Sequence, residues 1–239
     1  VDFIVLWVGT ERMARTYLDL VEGALEGATP EHRRALELRR LHLLLRLGRF
    51  EKVRELGAEL LGRLSDRRER AEATQFMADA LLRLKRFEET LELLEPYPGA
   101  NHTRALAYVG LGRHEEGIAE AKGRIRQAGL VADDPCLVSA EAAWLAYSHG
   151  GPPLAPAARE VLELYLELRG GKLVALAWLA CMQWDCGDQE AAVASLERLR
   201  QATGSPSPSE IATLTQGGAA SRNRLLLWAQ SIEARSRVR

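Results

Sequence analysis

Leu47-Gly48-Arg49-Phe50-Glu51-Lys52-Val53 returns as Leu84-Lys85-Arg86-Phe87-Glu88-Glu89-Thr90, and again as Leu111-Gly112-Arg113-His114-Glu115-Glu116-Gly117. Cys186-Gly187-Asp188-Gln189-Glu190-Ala191-Ala192 is a fourth copy, and Val8-Gly9-Thr10-Glu11-Arg12-Met13-Ala14 a weaker one. The irregular Ser148-His149-Gly150-Gly151-Pro152-Pro153 fills the slot between the third and fourth clear copies. One phrase recurring along a chain marks a repeat architecture, and each copy is then a single supersecondary unit.

Helical spacing flanks the phrase on both sides. Leu36, Leu41, Leu44 and Leu45 precede Gly48 at helical intervals, and Val53, Leu56, Leu60 and Leu61 follow it. The glycine ends the first helix because it adopts the left-handed C-terminal conformation without a Cβ clash. Acidic side chains in the next turn suit the N-terminal dipole of the second helix. The unit is helix, tight turn, helix.

Placed at Gly9, Gly48, Lys85, Gly112, Gly150 and Gly187, the turns lie 39, 37, 27, 38 and 37 residues apart by subtraction. The short interval has a local cause: Pro96 and Pro98 stop the helix that opens near Phe87, and Asn101-His102 starts the next. Val1 to Val8 read as the end of a first helix whose beginning lies upstream, because only eight residues precede Gly9.

The phrases resemble the tetratricopeptide repeat, whose period is about 34 residues. The resemblance covers residues 1–202. It rests on the turn glycine, the aromatic two positions later (Phe50, Phe87), the small residue five later (Ala14, Ala192), and Tyr108 four before Gly112. The longer period, Lys85 in place of glycine, and Val53 and Thr90 at the small position depart from the pattern. The longer period resembles the helical repeat regions of large bacterial transcription regulators of the maltose-regulator-like and antibiotic-regulator-like kinds. The resemblance implies an all-α, right-handed α-solenoid of about five hairpins. Residues 203–219, with Gly204-Ser205-Pro206-Ser207-Pro208 and Gly217-Gly218, read as a linker around a short helix near 209–215. Residues 220–239 contain an amphipathic capping helix bearing Leu225, Trp228, Ala229 and Ile232 on one face.

Composition narrows the function classes. Apolar residues make up 47% and charged residues 27%, the balance of a globular chain, while aromatics are only 6%. Arginine outnumbers lysine 28 to 4, a bias of genome composition rather than function. A net charge of −1 gives no general attraction to nucleic acid or anionic lipid. No apolar run reaches the roughly 18 residues of a membrane span. Three cysteines make no disulfide framework, so a cytoplasmic setting is expected.

No constellation carries catalysis, and no enzyme, cofactor or metal is expected. Gly110-Leu111-Gly112 starts like a phosphate loop, but no strand precedes it and Gly117 stands at the wrong spacing. Cys181 and Cys186, five apart on one helix, point to different faces and read as small core residues. The five histidines show no ligand spacing, and His114 replaces the turn aromatic. Arg33, Arg34, Arg39, Arg40, Arg46 and Arg49, then Arg63, Arg67, Arg68 and Arg70, read as a solvated face with Glu partners. The other reading is a docking surface for an acidic partner. With almost no aromatics interleaved, these arginines do not read as a nucleic-acid platform.

The resemblance also implies a binding groove, lined in the tetratricopeptide family by first-helix residues six, three and two before the turn glycine. Carried over, these are Phe3, Leu6 and Trp7; His42, Leu45 and Arg46; Asp79, Leu82 and Arg83; Leu106, Val109 and Gly110; Trp144, Tyr147 and Ser148; and Cys181, Trp184 and Asp185. Placing the fifth turn at Gly151 instead moves Trp144 and Tyr147 into the core. With only Asn101 and Asn223, the chain lacks the family's asparagine-rich carboxylate clamp. The implied function is a scaffold gripping a protein or peptide, an amphipathic helix or apolar segment with an acidic residue near Arg46 and Arg83. The alternative is a sensor module of a transcription regulator whose DNA-binding part lies elsewhere.

Overall fold

The structure, a computed structural model, describes residues 2–97, 99, 101–128, 134–169 and 173–203; the side chains of residues 2–10, 134, 135, 169 and 203 lie outside the description. The described residues form α1 (Asp2–Glu26), α2 (Pro30–Arg46), α3 (Phe50–Arg63), α4 (Arg67–Arg83), α5 (Phe87–Leu94), α6 (His102–Gly110), α7 (His114–Ala128), α8 (Asp134–Gly150), α9 (Ala155–Arg169), α10 (Leu173–Asp185) and α11 (Gln189–Thr203). A 3-10 turn, Pro152–Leu154, links α8 to α9. No strand occurs among the described residues. The chain is all-α, built of five sequential hairpins, α2/α3 to α10/α11, with α1 packed against α2. It divides into two compact units, one ending at Pro98 and one beginning at Gly99. The proposed linker and capping helix, residues 203–239, lie outside the described residues apart from the end of α11.

Four turns share one hydrogen-bond pattern. After α2, Gly48 N donates to the Leu45 carbonyl at 3.1 Å and Arg49 N to the Leu44 carbonyl at 2.9 Å. The pairs Lys85–Leu82 and Arg86–Leu81, Gly112–Val109 and Arg113–Tyr108, and Gly187–Trp184 and Asp188–Gln183 repeat it at 2.9–3.0 Å. This is the Schellman motif, which satisfies the last helical carbonyls and needs positive φ at its fifth residue. Gly48, Gly112 and Gly187 stand there at φ 69°, 75° and 80°, and Lys85 at 60°. The residue five places on is buried in every copy: Val53, Thr90 and Ala192 at 0% exposure, and Gly117 as well. That position wants burial rather than smallness, which is why Val53 and Thr90 fit.

Two expectations are corrected. Gly9 is no turn: α1 runs through it from Asp2 to Glu26, so residues 2–8 are not the tail of a separate helix. A glycine inside a helix costs only about 1 kcal/mol, and the Val8 phrase has Glu11 where the first two copies have Phe50 and Phe87. The fifth turn is at Gly151, not Gly150. Gly150 ends α8, and Gly151 takes φ 82° with its N–H on the Tyr147 carbonyl at 2.7 Å. Pro152 and Pro153 then force the 3-10 turn.

In the first unit, Ala14 and Leu18 of α1 meet Leu38, Leu41 and Leu44 of α2, Val53 and Leu60 of α3, and Ala73 and Ala80 of α4. Each buried leucine contributes about 1.5–3 kcal/mol. Around this core the arginines stitch helices together. Arg40 reaches Glu22 of α1 at 2.7 Å, Arg63 reaches Glu37 of α2 at 3.1 Å, and Arg34 reaches Glu69 of α4 at 3.4 Å. Asp66 caps α4, its carboxylate accepting from Arg68 N and Glu69 N.

The second unit centres on α10, whose residues Val174 to Trp184 are all buried between α8, α9 and α11. A helix apolar all round belongs in an interior. Asn101 caps α6 by accepting from Thr103 N at 2.8 Å. Glu120 of α7 accepts from Asn101 N at 2.7 Å and Arg104 Nε at 2.6 Å.

Candidate partner-binding face

In the first unit the carried-over positions sit on α2 and α4, first helices of consecutive hairpins that pack side by side. His42, Leu45, Asp79 and Leu82 are half-buried, while Arg46 and Arg83 are exposed in the last turns. His42 lies flat on Phe76, ring centroids 5.5 Å apart and planes 5° apart. Phe76 stands one helical step before Asp79 on the same face of α4, a spacing that would have found it in the sequence. Gln75 donates to Asp79 Oδ1 at 2.8 Å. Burial, with Arg39 and Arg46 beside it, holds the His42 imidazole below its ordinary range; Glu72 opposes them. Arg46 and Arg83 have no ion-pair partner among the described residues. The face therefore offers a flat half-apolar platform edged by two unneutralised guanidinium groups.

In the second unit the positions divide. Leu106 of α6 is half-buried and Gly110 exposed, but Val109 is buried. Trp144 and Tyr147 are 3% and 1% exposed, so their placing on an open groove is corrected to the core. The one-residue shift of the turn to Gly151 is the cause. Counted from there, the same three positions hold Leu145, half-buried, and Ser148 and His149, both exposed; the outer two match their counterparts in α2 and α4, while Ser148 is more open than Leu45 and Leu82. Trp144 instead stacks on Trp178 at 5.8 Å and leans on Tyr147 at 5.5 Å. Tyr147 donates its hydroxyl to Asp185 Oδ2 at 2.7 Å. Trp184 and Cys181 are buried as well, because α10 is enclosed. Trp7 lies outside the described side chains.

Of the cysteines, Cys136 and Cys181 are buried core residues, whereas Cys186 lies just past α10 and is exposed. Partial burial raises the Cys186 thiol pKa despite Arg159 nearby, the opposite of an activated thiolate. The described residues contain no group of three or more side chains suited to hold a metal ion, and no helix long and apolar enough to cross a membrane. No family model matches the chain, and neither a curated protein nor a solved structure matches it significantly.

Proposed function

We propose that this chain is a tetratricopeptide-like scaffold, its hairpins stacked in the right-handed sense within each unit, that binds a protein segment on the α2/α4 face. The observation that carries this is a pair of exposed arginines with no ion-pair partner among the described residues, Arg46 and Arg83, at equivalent places in the last turns of α2 and α4, the two helices whose His42 and Phe76 stack. Arg34, Arg40 and Arg63 in the same unit are neutralised by glutamates of neighbouring helices. Arginine and aromatic side chains are also the usual anchors of protein interfaces. The segment that fits is an amphipathic helix or extended peptide with apolar residues on Leu45, Leu82 and Phe76 and a carboxylate at each arginine. No side chain in this role does chemistry, so the proposed activity is recognition and not catalysis.

The test is selection from a displayed peptide library on the 239-residue chain, with enriched peptides measured by titration. Binders should combine apolar and acidic residues, and Arg46→Ala with Arg83→Ala should weaken them at least about tenfold, or ~1.4 kcal/mol. Binders indifferent to both substitutions, or no enrichment at all, would sink the reading.

A further inference from the structure

Among the described residues, the large hydrophobic side chains left exposed are Met13, Tyr17 and Leu20, at 58%, 57% and 63%. All three lie on α1, four and then three residues apart, and so form one strip along one helix face. The strip is separate from the face that α1 turns to α2, which carries Ala14 and Leu18 at 8% and 5%. It is also foreign to the repeat. Aligning buried Ala14 with buried Val53 of α3 sets Met13 against Lys52 and Leu20 against Glu59, both exposed charges. In α5 and α7 the place of Met13 holds Glu89 and Glu116, again exposed. Tyr17 alone falls on an apolar place, that of the half-buried Leu56; the places of Met13 and Leu20 carry charge in α3, and packing there calls for no apolar residue.

The border of the strip indicates what covers it. Arg12 and Asp19 are seven residues apart, two helical turns, and lie on the same edge. Both are exposed, and neither has an ion-pair partner among the described residues. The neighbouring charges are already used: Arg15 pairs with Glu11 at 2.5 Å and Glu22 with Arg40 at 2.7 Å. A parallel copy would set Arg12 against Arg12 and Asp19 against Asp19. An antiparallel copy, related by a two-fold axis near Thr16, sets Arg12 of each chain against Asp19 of the other and Met13 against Leu20. Thr16 at the crossing is small, and its hydroxyl is already bonded to the Arg12 carbonyl at 3.1 Å. Such an isologous contact makes the same patch serve both sides.

We infer that the occupant of this strip is a second copy of the chain, docked α1 against α1 in antiparallel sense. A single helix pair buries less than the roughly 1,200 Å² of a stable interface, so the dimer is weak and concentration-dependent.

Sedimentation velocity of the 239-residue chain over a concentration series tests it. The wild type should pass from monomer to dimer with a Kd of ~10–200 μM. Leu20→Glu should weaken association more than about tenfold. Arg12→Asp and Asp19→Arg should each weaken it about threefold or more, and the two together should restore it to within about twofold, as a double-mutant cycle requires. Unchanged circular dichroism and Tm keep misfolding out of the comparison. A dimer indifferent to Leu20→Glu overturns the inference, and so does a charge swap that restores nothing. A wild type that stays monomeric overturns it too. In that event, a Tm lowered by Leu20→Glu assigns the strip to another segment of the same chain, such as residues 221–236, and an unchanged Tm leaves it to a different protein.

Discussion

The Tyr147 hydroxyl donates to Asp185 Oδ2 at 2.7 Å and joins the end of α8 to the last residue of α10. Tyr147 is 1% exposed and Asp185 half-buried, so the bond is charge-assisted and largely shielded from water. Tyr147→Phe should therefore destabilise the second unit by about 1–3 kcal/mol. Urea denaturation of Tyr147→Phe, Asp185→Asn and the double variant measures it, with non-additivity as the expected sign of direct coupling.

The four Schellman turns predict opposite responses to similar changes. A Cβ at Gly112 or Gly187 meets nothing within 4 Å, and at Gly48 only the Phe50 ring at 3.9 Å. Alanine there is penalised by backbone conformation alone, about 1–2 kcal/mol each. Lys85 carries that strain already at φ 60°. Lys85→Gly should raise stability by up to about 1 kcal/mol, the relieved strain outweighing glycine's unfolded-state entropy. Thermal melts of the four single variants decide the matter.

Two helical glycines should behave differently. A Cβ on Gly57 would collide with Met77 Cγ and Sδ, atoms of a buried but unbranched chain on another helix that yields only by repacking into another rotamer. A Cβ on Gly117 would lie 2.7 Å from Val109 Cγ2 and 3.0 Å from the Ala105 carbonyl oxygen, where a β-branched side chain and the backbone of α6 cannot yield. Gly57→Ala should fall within about 1 kcal/mol of wild type, because helix propensity offsets the repacking. Gly117→Ala should cost about 1–3 kcal/mol by overpacking. Equal denaturation midpoints for the two would contradict this.

His42 makes the first unit acid-sensitive. Its pKa is lowered in the folded chain by burial first, then by Arg39 and Arg46. The unfolded chain therefore takes up the proton at higher pH. The stability that neutral His42 confers is fully present above its unfolded pKa of about 6.5, and is lost as pH falls through the folded value. Melts between pH 7.5 and 5 should show wild type losing more Tm than His42→Asn. Parallel curves would remove His42 from the account.

The turns were legible because their cause is local. Positive φ after α2, α4, α6 and α10 depends on the few residues that accept or donate the Schellman bonds, and for Gly48 they all lie between Leu44 and Arg49. The helical class followed as directly from Leu, Ala, Arg and Glu at helical spacing. Gly9 misled because a glycine alone ends no helix; at Gly48 the chain reverses where Phe50 can be half-buried beside packed hairpins.

Which side chains face outward was settled only by the tertiary structure. One residue along a helix rotates a side chain by about 100°, so moving a turn from Gly150 to Gly151 carries Trp144 and Tyr147 from surface to core. The sequence could name both glycines but could not choose, because the choice depends on how Trp144 stacks on Trp178, 34 residues away in sequence. Trp184 is buried for a similarly distant reason, since α8, α9 and α11 together enclose α10. By itself the sequence determined the helices, the turn chemistry and the repeat. Burial is a property of what packs from elsewhere in the chain, and that separated the Arg46 and Arg83 face from the aromatic core.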